Sequence, residues 1–80
     1  MDIREAVKNR LLYYLGVRRW SVRKLAMESG LSPSTLKSIL YGNSLNPGIV
    51  TIKILCDGLG VTISEFFDCD EFKNLPQELK

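Results

Sequence analysis

The chain has 80 residues, of which 45% are apolar and 25% charged, and its net charge is +2. A chain of this length forms one small domain that buries about 60–65% of its unfolded surface, which leaves little room for a deep ligand pocket. No apolar run approaches the roughly 20 residues that a membrane-spanning helix needs, and the first residues lack the pattern of a secretory signal peptide. We therefore expect a single cytoplasmic domain that has no membrane partner.

Residue types that carry catalysis or bind metals are scarce. The chain has no histidine, so the commonest general base and metal ligand is missing. Its two cysteines, Cys56 and Cys69, are too few for a four-ligand zinc site, and in the cytoplasm we expect both thiols to be reduced. Cys56 has helical spacing with Leu59, which favours a place in the core. We expect no cofactor, no metal and no enzymatic activity.

Charge is distributed unevenly along the chain. Residues 1–53 contain nine Lys or Arg and three acidic residues, for a net charge of +6, whereas residues 54–80 contain two and six, for a net charge of −4. Such asymmetry favours a polyanionic partner for the first part. Charge runs usually face water, however, so this signal alone does not decide.

Two helices are predicted in the first 30 residues. The first covers about residues 3–15, with Asp2 as its N-cap and Gly16 closing its C-terminal end. The second begins after the N-cap Ser21 and ends at Gly30. The residues expected to face the core are Tyr13 and Tyr14 of the first helix and Val22, Leu25 and Ala26 of the second.

The third helix is predicted over residues 32–41. Ser32 is its N-cap, Pro33 occupies the first turn where a missing N–H costs nothing, and Gly42 ends it. Its apolar stripe consists of Leu36, Ile39 and Leu40. The following segment, "NSLNPG", has the composition of a loop.

Two more helices and an acidic tail complete the chain. A fourth helix is predicted over residues 49–59, with Val50 or Ile52 facing inward, and "TISE" is a capping box for a short fifth helix that brings Phe66 and Phe67 into the core. We expect an all-α, compact five-helix domain over residues 1–68. For the tail, residues 69–80, docking on the domain, pairing with a second chain and fraying all stay open.

The outward face of the third helix is small and polar. At about 100° per residue, Ser34, Lys37, Ser38 and Tyr41 lie opposite the apolar stripe, with Thr35 at the margin. Such a face is narrow enough to enter a DNA major groove, where hydroxyls, a lysine and a threonine methyl meet base edges. A plain solvated helix face explains the same residues equally well.

The residue spacing around this helix favours the interpretation that it binds DNA. Ala26 permits a close helix crossing, Gly30 makes a sharp turn, and Leu36 and Ile39 lock the third helix against the second. Over residues 9–67, including the loop "NP" and the closing "LCDGLGVTISEFF", the sequence resembles the phage-repressor/Cro type of helix-turn-helix domain. This group is also called the XRE family or lambda-repressor-like.

The resemblance implies that the third helix is a recognition helix in the major groove of double-stranded DNA, with the second helix across the backbone above it. It implies base or groove contacts from Ser32, Pro33, Ser34, Thr35, Lys37 and Ser38. The residues expected to hold phosphates are Arg18, Arg19, Arg23, Lys24, Tyr41, Asn43, Ser44 and Asn46.

The sequence departs from the family pattern at several of its polar positions. Val22 stands where glutamine is frequent, Pro33 where arginine or glutamine is frequent, and Ser38 and Leu40 where arginine and glutamate are often found. The helix therefore cannot make a bidentate arginine–guanine contact, a contact worth about 1–3 kcal/mol of discrimination. Lys37 must therefore make most of the contacts that distinguish one base from another, and we expect modest sequence specificity per subunit.

Two function hypotheses follow. The first is a transcriptional regulator, a repressor that occupies a promoter or operator and binds as a homodimer, with any induction supplied by a regulatory protein partner, proteolysis or concentration. The second is a protein-interaction or antitoxin-like adaptor module on the same fold, favoured by Phe72, Leu75 and Leu79 in the tail.

Overall fold

The structure, a computed structural model, describes residues 2–42 and 46–79. All regular structure in these residues is helical, which confirms the all-α prediction. The described residues form six helices rather than five: α1 (Ile3–Arg18), α2 (Val22–Ser29), α3 (Pro33–Tyr41), α4 (Ile49–Leu59), α5 (Ile63–Phe67) and α6 (Asp70–Lys73).

The predicted N-caps are confirmed. Asp2 accepts the Glu5 N–H at 3.0 Å, and this backbone hydrogen bond is the main reason that the pKa of Asp2 is lowered. Ser21 and Ser32 cap α2 and α3 in the same way, and Thr62 forms a complete capping box at α5. Local hydrogen bonds therefore fix where these four helices begin.

The C-terminal end of α1 differs from the prediction. The helix continues through Gly16 and ends at Arg18, and its C-cap Arg19 adopts the left-handed conformation at φ +56°. The Arg19 N–H bonds to the Gly16 carbonyl, and the Trp20 N–H bonds to the Leu15 carbonyl at 3.0 Å. Trp20 packs against the core, so the hydrophobic contact that accompanies such a C-cap selects the end point of the helix.

The core is formed by residues of α1 to α5, and within it α2 packs against both α3 and α4. Tyr14 is buried, but Tyr13 is 53% exposed, so its predicted place in the core is wrong. On α4, Val50 is 69% exposed and Ile52 packs against the core. The buried core residues are Ala6, Val7, Leu11, Tyr14, Leu15, Leu25, Ala26, Leu36, Ile39, Leu40, Leu55, Cys56, Leu59 and Phe66.

Both cysteines are free, and Cys56 is fully buried as predicted. Burial raises the pKa of the Cys56 thiol, because the low-dielectric surroundings disfavour a thiolate. Cys56 is therefore a packing residue with low nucleophilicity.

Helices α2 and α4 approach closely at Ser29 and Gly58. A β-carbon placed on Gly58 would lie 3.1 Å from the Ser29 Cα, closer than normal side-chain packing allows. The hydroxyl of Ser29 is buried and has no hydrogen-bond partner among the described residues. Backbone proximity at Gly58, rather than side-chain hydrogen bonding, therefore defines this crossing.

Arg10 joins α1 to the end of α5. Its Nε donates to the Phe66 carbonyl at 2.6 Å, and its Nη2 donates to the Glu65 carbonyl at 3.0 Å. The guanidinium also lies 4.8 Å from the centres of the Tyr13 and Tyr14 rings. The arginine thus satisfies the Phe66 carbonyl at the end of this five-residue helix and shares the Glu65 carbonyl with the Asp68 N–H.

The first part of the tail docks on the domain. Helix α6 contacts α1, and Phe72 packs against Phe66 and Phe67, with ring centres 6.4 Å and 4.7 Å apart respectively. Leu75 is partly buried, whereas Leu79 is 87% exposed. Phe72, one of the three apolar residues that favoured an adaptor module, therefore packs against the core of its own chain.

The crossing of α2 and α4 predicts opposite effects for two glycine substitutions. Gly58→Ala forces a methyl group against the Ser29 backbone and should lower the free energy of unfolding by about 1–3 kcal/mol. Gly16→Ala is the matched control, because nothing lies within 4 Å of its β-carbon position. It should raise stability by about 0.5–1 kcal/mol through higher helix propensity. Chemical denaturation measures both, and equal effects would contradict this account of the crossing.

Candidate nucleic-acid interface

Helices α2 and α3 form a helix-turn-helix unit around Gly30. Gly30 ends α2 at φ +69°, a conformation that glycine adopts without strain, and the Leu31 N–H bonds to the Ala26 carbonyl at 3.0 Å. Ala26 and Leu36 are both 0% exposed. The turn and these two buried residues fix the position of α3, as the sequence spacing predicts.

The side chains of α3 divide into a buried stripe and an exposed face. Leu36, Ile39 and Leu40 are buried at 0%, 8% and 1% exposure. Tyr41 is 66% exposed at the C-terminal end. The other exposed residues are Pro33, Ser34, Thr35, Lys37 and Ser38. The structure thus presents on the surface every α3 residue predicted to contact DNA.

Two hydroxyls at the start of α3 are already engaged. The Ser32 Oγ accepts the Thr35 N–H at 3.1 Å, and the hydroxyls of Ser32 and Thr35 are hydrogen-bonded at 2.8 Å. A base or phosphate that binds either hydroxyl has to share it with the helix cap. Ser34, Lys37 and Ser38 are exposed without such a role in capping.

A polar surface cleft of about 360 Å³ separates α3 from the start of α4. Thr35 and Ser38 line it on one side, and Asn46 and Thr51 line it on the other. Helix α4 begins at Ile49, and its N-cap Gly48 provides no side-chain cap. The sequence-based prediction did not include Thr51, although a polar residue in the first helical turn after "NPG" could have indicated this position.

Two of the predicted phosphate-binding cations lie around Trp20. The Arg18 guanidinium lies 6.0 Å from the Trp20 ring centre and 5.1 Å from that of Tyr14. The Lys24 ammonium lies 5.5 Å from the Trp20 ring and forms an ion pair with Glu28 at 2.7 Å. The indole therefore orients two cations beside the N-terminal end of α2, although Glu28 partly neutralises one of them.

The remaining predicted phosphate contacts are spread over three segments. Arg19 and Arg23 are exposed before and on α2, and Asn46 is exposed before α4. Asn43 and Ser44 lie outside the described residues. Among the described candidates, Arg18 and Lys24 thus lie beside Trp20 and Asn46 lines the cleft beside α3.

Other kinds of site find little support in the described part of the chain. Residues 2–42 and 46–79 contain no group of three or more His, Cys, Asp or Glu side chains that could hold a metal ion. Within the same ranges, no helix is both long and apolar enough to cross a membrane.

The comparisons with known proteins decide the family. Residues 10–71 match the Cro/C1-type HTH DNA-binding domains. The chain belongs to this family. A solved structure described as the prophage Lp1 protein 11 is similar, with 28% sequence identity and a TM-score of 0.80, and the match covers 94% of this chain and 100% of that one. Among curated proteins, none matches.

Membership confirms the resemblance inferred from the sequence. The match includes α2 and α3, the two helices of the turn, and extends to α6. This Cro/C1-type domain is therefore a DNA-binding helix-turn-helix protein of the kind that regulates transcription, and domains of this family are typically not enzymes.

The left-handed conformation of Arg19 predicts that glycine is more stable at this position. A side chain costs about 1 kcal/mol in this region of backbone space, so Arg19→Gly should raise the free energy of unfolding by up to about that amount. Arg23→Gly is the matched control. Because Arg23 lies within α2, glycine there should lower stability by about 1 kcal/mol. Thermal or chemical denaturation tests the pair, and a loss of stability in Arg19→Gly would contradict the strain argument.

Proposed function

We propose that this Cro/C1-type domain binds double-stranded DNA sequence-specifically and represses transcription by occupying a promoter or operator. The observation that carries the proposal is the exposed polar face of α3, set opposite a fully buried stripe in a helix-turn-helix unit. In this arrangement α3 enters the major groove and α2 lies across the backbone. Membership in the Cro/C1-type family supports a DNA-binding regulator, and similarity to a prophage protein supports the fold.

Base reading rests mainly on three residues of α3. Ser34, Lys37 and Ser38 are exposed and lie outside the helix cap. Lys37 is the one long cation of α3 and donates to guanine O6 or N7. Ser32, Pro33 and Thr35 add shorter contacts at the front of the helix.

Phosphate binding supplies most of the affinity. Arg18, Arg19, Arg23 and Lys24 provide four positive charges beside α2, and the Tyr41 hydroxyl and the Asn46 amide add neutral contacts near α3. Asn43 and Ser44 belong to the same proposed set. Because each neutralised phosphate releases counterions, we expect affinity to fall steeply as salt concentration rises.

A homodimer on a two-fold site compensates for the modest sequence specificity of each subunit. A single module of this size covers about 600–1,000 Å² of interface, and two modules double both the phosphate contacts and the bases read. We further propose that the protein acts in the cytoplasm, at the nucleoid when bound, without a cofactor or catalytic activity. Induction then falls to a regulatory protein partner, to proteolysis or to a change in concentration.

A protein-interaction module on the same fold is the second candidate. Tyr13 and Val17 of α1 are 53% and 59% exposed, one helical turn apart. Leu79 is also exposed, but Phe72 packs inward, which weakens the case for the tail as a docking surface. This candidate predicts that substitutions at Tyr13 or Val17, and not at Lys37, abolish activity.

Selection of bound sequences from a random duplex library tests the proposed function. At about physiological salt, non-specific phosphate binding is weak, so the protein should enrich a palindromic motif. Enrichment of a single half-site would contradict the homodimer. Binding that occurs only at low salt and without any motif would contradict base reading and favour the interaction module.

Lys37→Ala tests the residue that reads the bases. The variant should lose about 1–3 kcal/mol of discrimination at the positions that the lysine reads, while the rest of the motif persists. Lys53→Ala is the control, since it removes the same charge from α4, where Lys53 pairs with Asp57. An unchanged motif with Lys37→Ala would contradict the assignment.

The Arg19 and Arg23 variants test phosphate binding with the same duplex. Each substitution by glycine should weaken binding about equally for all sequences, and it should reduce the salt slope by about 1 because one phosphate is no longer neutralised. Because the two variants change stability in opposite directions, a shared decrease in affinity cannot come from misfolding. A salt slope unchanged in both would exclude these arginines as phosphate ligands.

A further inference from the structure

The last described residues of the chain run back toward the start of α1 and the segment that precedes α4. Beyond the docked helix α6, Glu78 lines a surface cleft of about 300 Å³ together with Ile3, Arg4 and Asn46. Asn46 also lines the polar cleft beside α3. A carboxylate from the acidic part of the chain thus lies at the edge of the proposed DNA-binding surface.

The carboxylate of Glu78 lies in the same cleft as Arg4, so it competes with a DNA phosphate for this cation. Arg4 is half exposed and forms an ion pair with Asp2 at 3.2 Å, so its guanidinium is accessible to an anion from solvent. A DNA phosphate that approaches Arg4 and Asn46 meets the negative charge of Glu78. Like charges in the same cleft repel with an energy that salt reduces.

The segment that carries Glu78 is held weakly. Leu75 is partly buried, but residues 76–79 are exposed and Leu79 is 87% exposed. Moving these residues away breaks few apolar contacts, whereas α6 remains anchored by Phe72. Displacement of the segment is therefore local and does not unfold the domain.

We propose that residues 76–79 form a weak autoinhibitory segment, in which Glu78 opposes the approach of DNA phosphate to Arg4 and Asn46. This inference rests on the proposed DNA-binding function and adds a form of regulation to it. Displacement of the segment therefore raises DNA affinity without a change in α3.

The experiment compares Glu78→Gln with Glu71→Gln by fluorescence anisotropy on one labelled duplex, over a series of salt concentrations. Both variants remove one negative charge, but Glu71 lines a different cleft, with Asp70, Asn74 and Leu75. At low salt, Glu78→Gln should bind about two- to five-fold more tightly than the wild type, and the difference should shrink as salt rises. Glu71→Gln should stay closer to the wild type, and Glu78→Lys should exceed Glu78→Gln.

Three results would overturn the inference, and they can be told apart. Equal tightening in both glutamine variants would show an effect of net charge alone. Weaker binding by Glu78→Gln would show that the side chain assists DNA binding. Absence of binding by the wild type at any salt concentration would remove the proposed function itself and this inference with it.

Discussion

The placement of α2 is the constraint on which the rest of the structure depends. Its small residues, Ala26 and Ser29, allow α3 and α4 to approach it closely, and Gly58 completes the crossing from the α4 side. A helix as short as α3 has too few contacts of its own to hold a fixed orientation. Its exposed face is therefore only as well positioned as the two crossings that α2 makes.

This arrangement separates the residues that stabilise the fold from those that we propose contact DNA. The buried stripe of α3 is wholly apolar, and its exposed face is short and polar. Substitutions at Ser34, Lys37 or Ser38 should therefore cost little stability, because none of these side chains caps the helix or packs in the core. Ser32 and Thr35 are the exceptions, since their hydroxyls serve the helix cap.

The sequence predicts much of this fold because the relevant signals are local. N-caps, helix-breaking glycines and apolar stripes each involve residues within a few positions, and the structure contains the predicted caps at Asp2, Ser21, Ser32 and Thr62. The outward face of α3 follows from the same periodicity. The family match then agrees with the spacing around the turn.

The features that sequence reasoning missed depend on contacts between distant residues. From the sequence alone, Arg10 resembles an ordinary surface cation. In the structure it binds carbonyls at the end of α5, more than 50 positions away. From the sequence alone, Phe72 resembles an exposed apolar residue, whereas in the structure it packs against Phe66 and Phe67. The position of Glu78 beside Asn46 likewise requires the path of the whole chain. No local pattern encodes these pairings.

The end of α1 shows how a missed boundary bears on function. Gly16 would have ended the helix without strain, yet the chain continues to Arg19 and places a charged side chain in a conformation that glycine or asparagine adopts more cheaply. Packing of Trp20 explains why the helix ends there but not why the residue is arginine. Strain retained at an exposed cation, next to Arg18 and the start of α2, is an argument for a role in binding. Phosphate contact supplies a reason for arginine that stability alone does not.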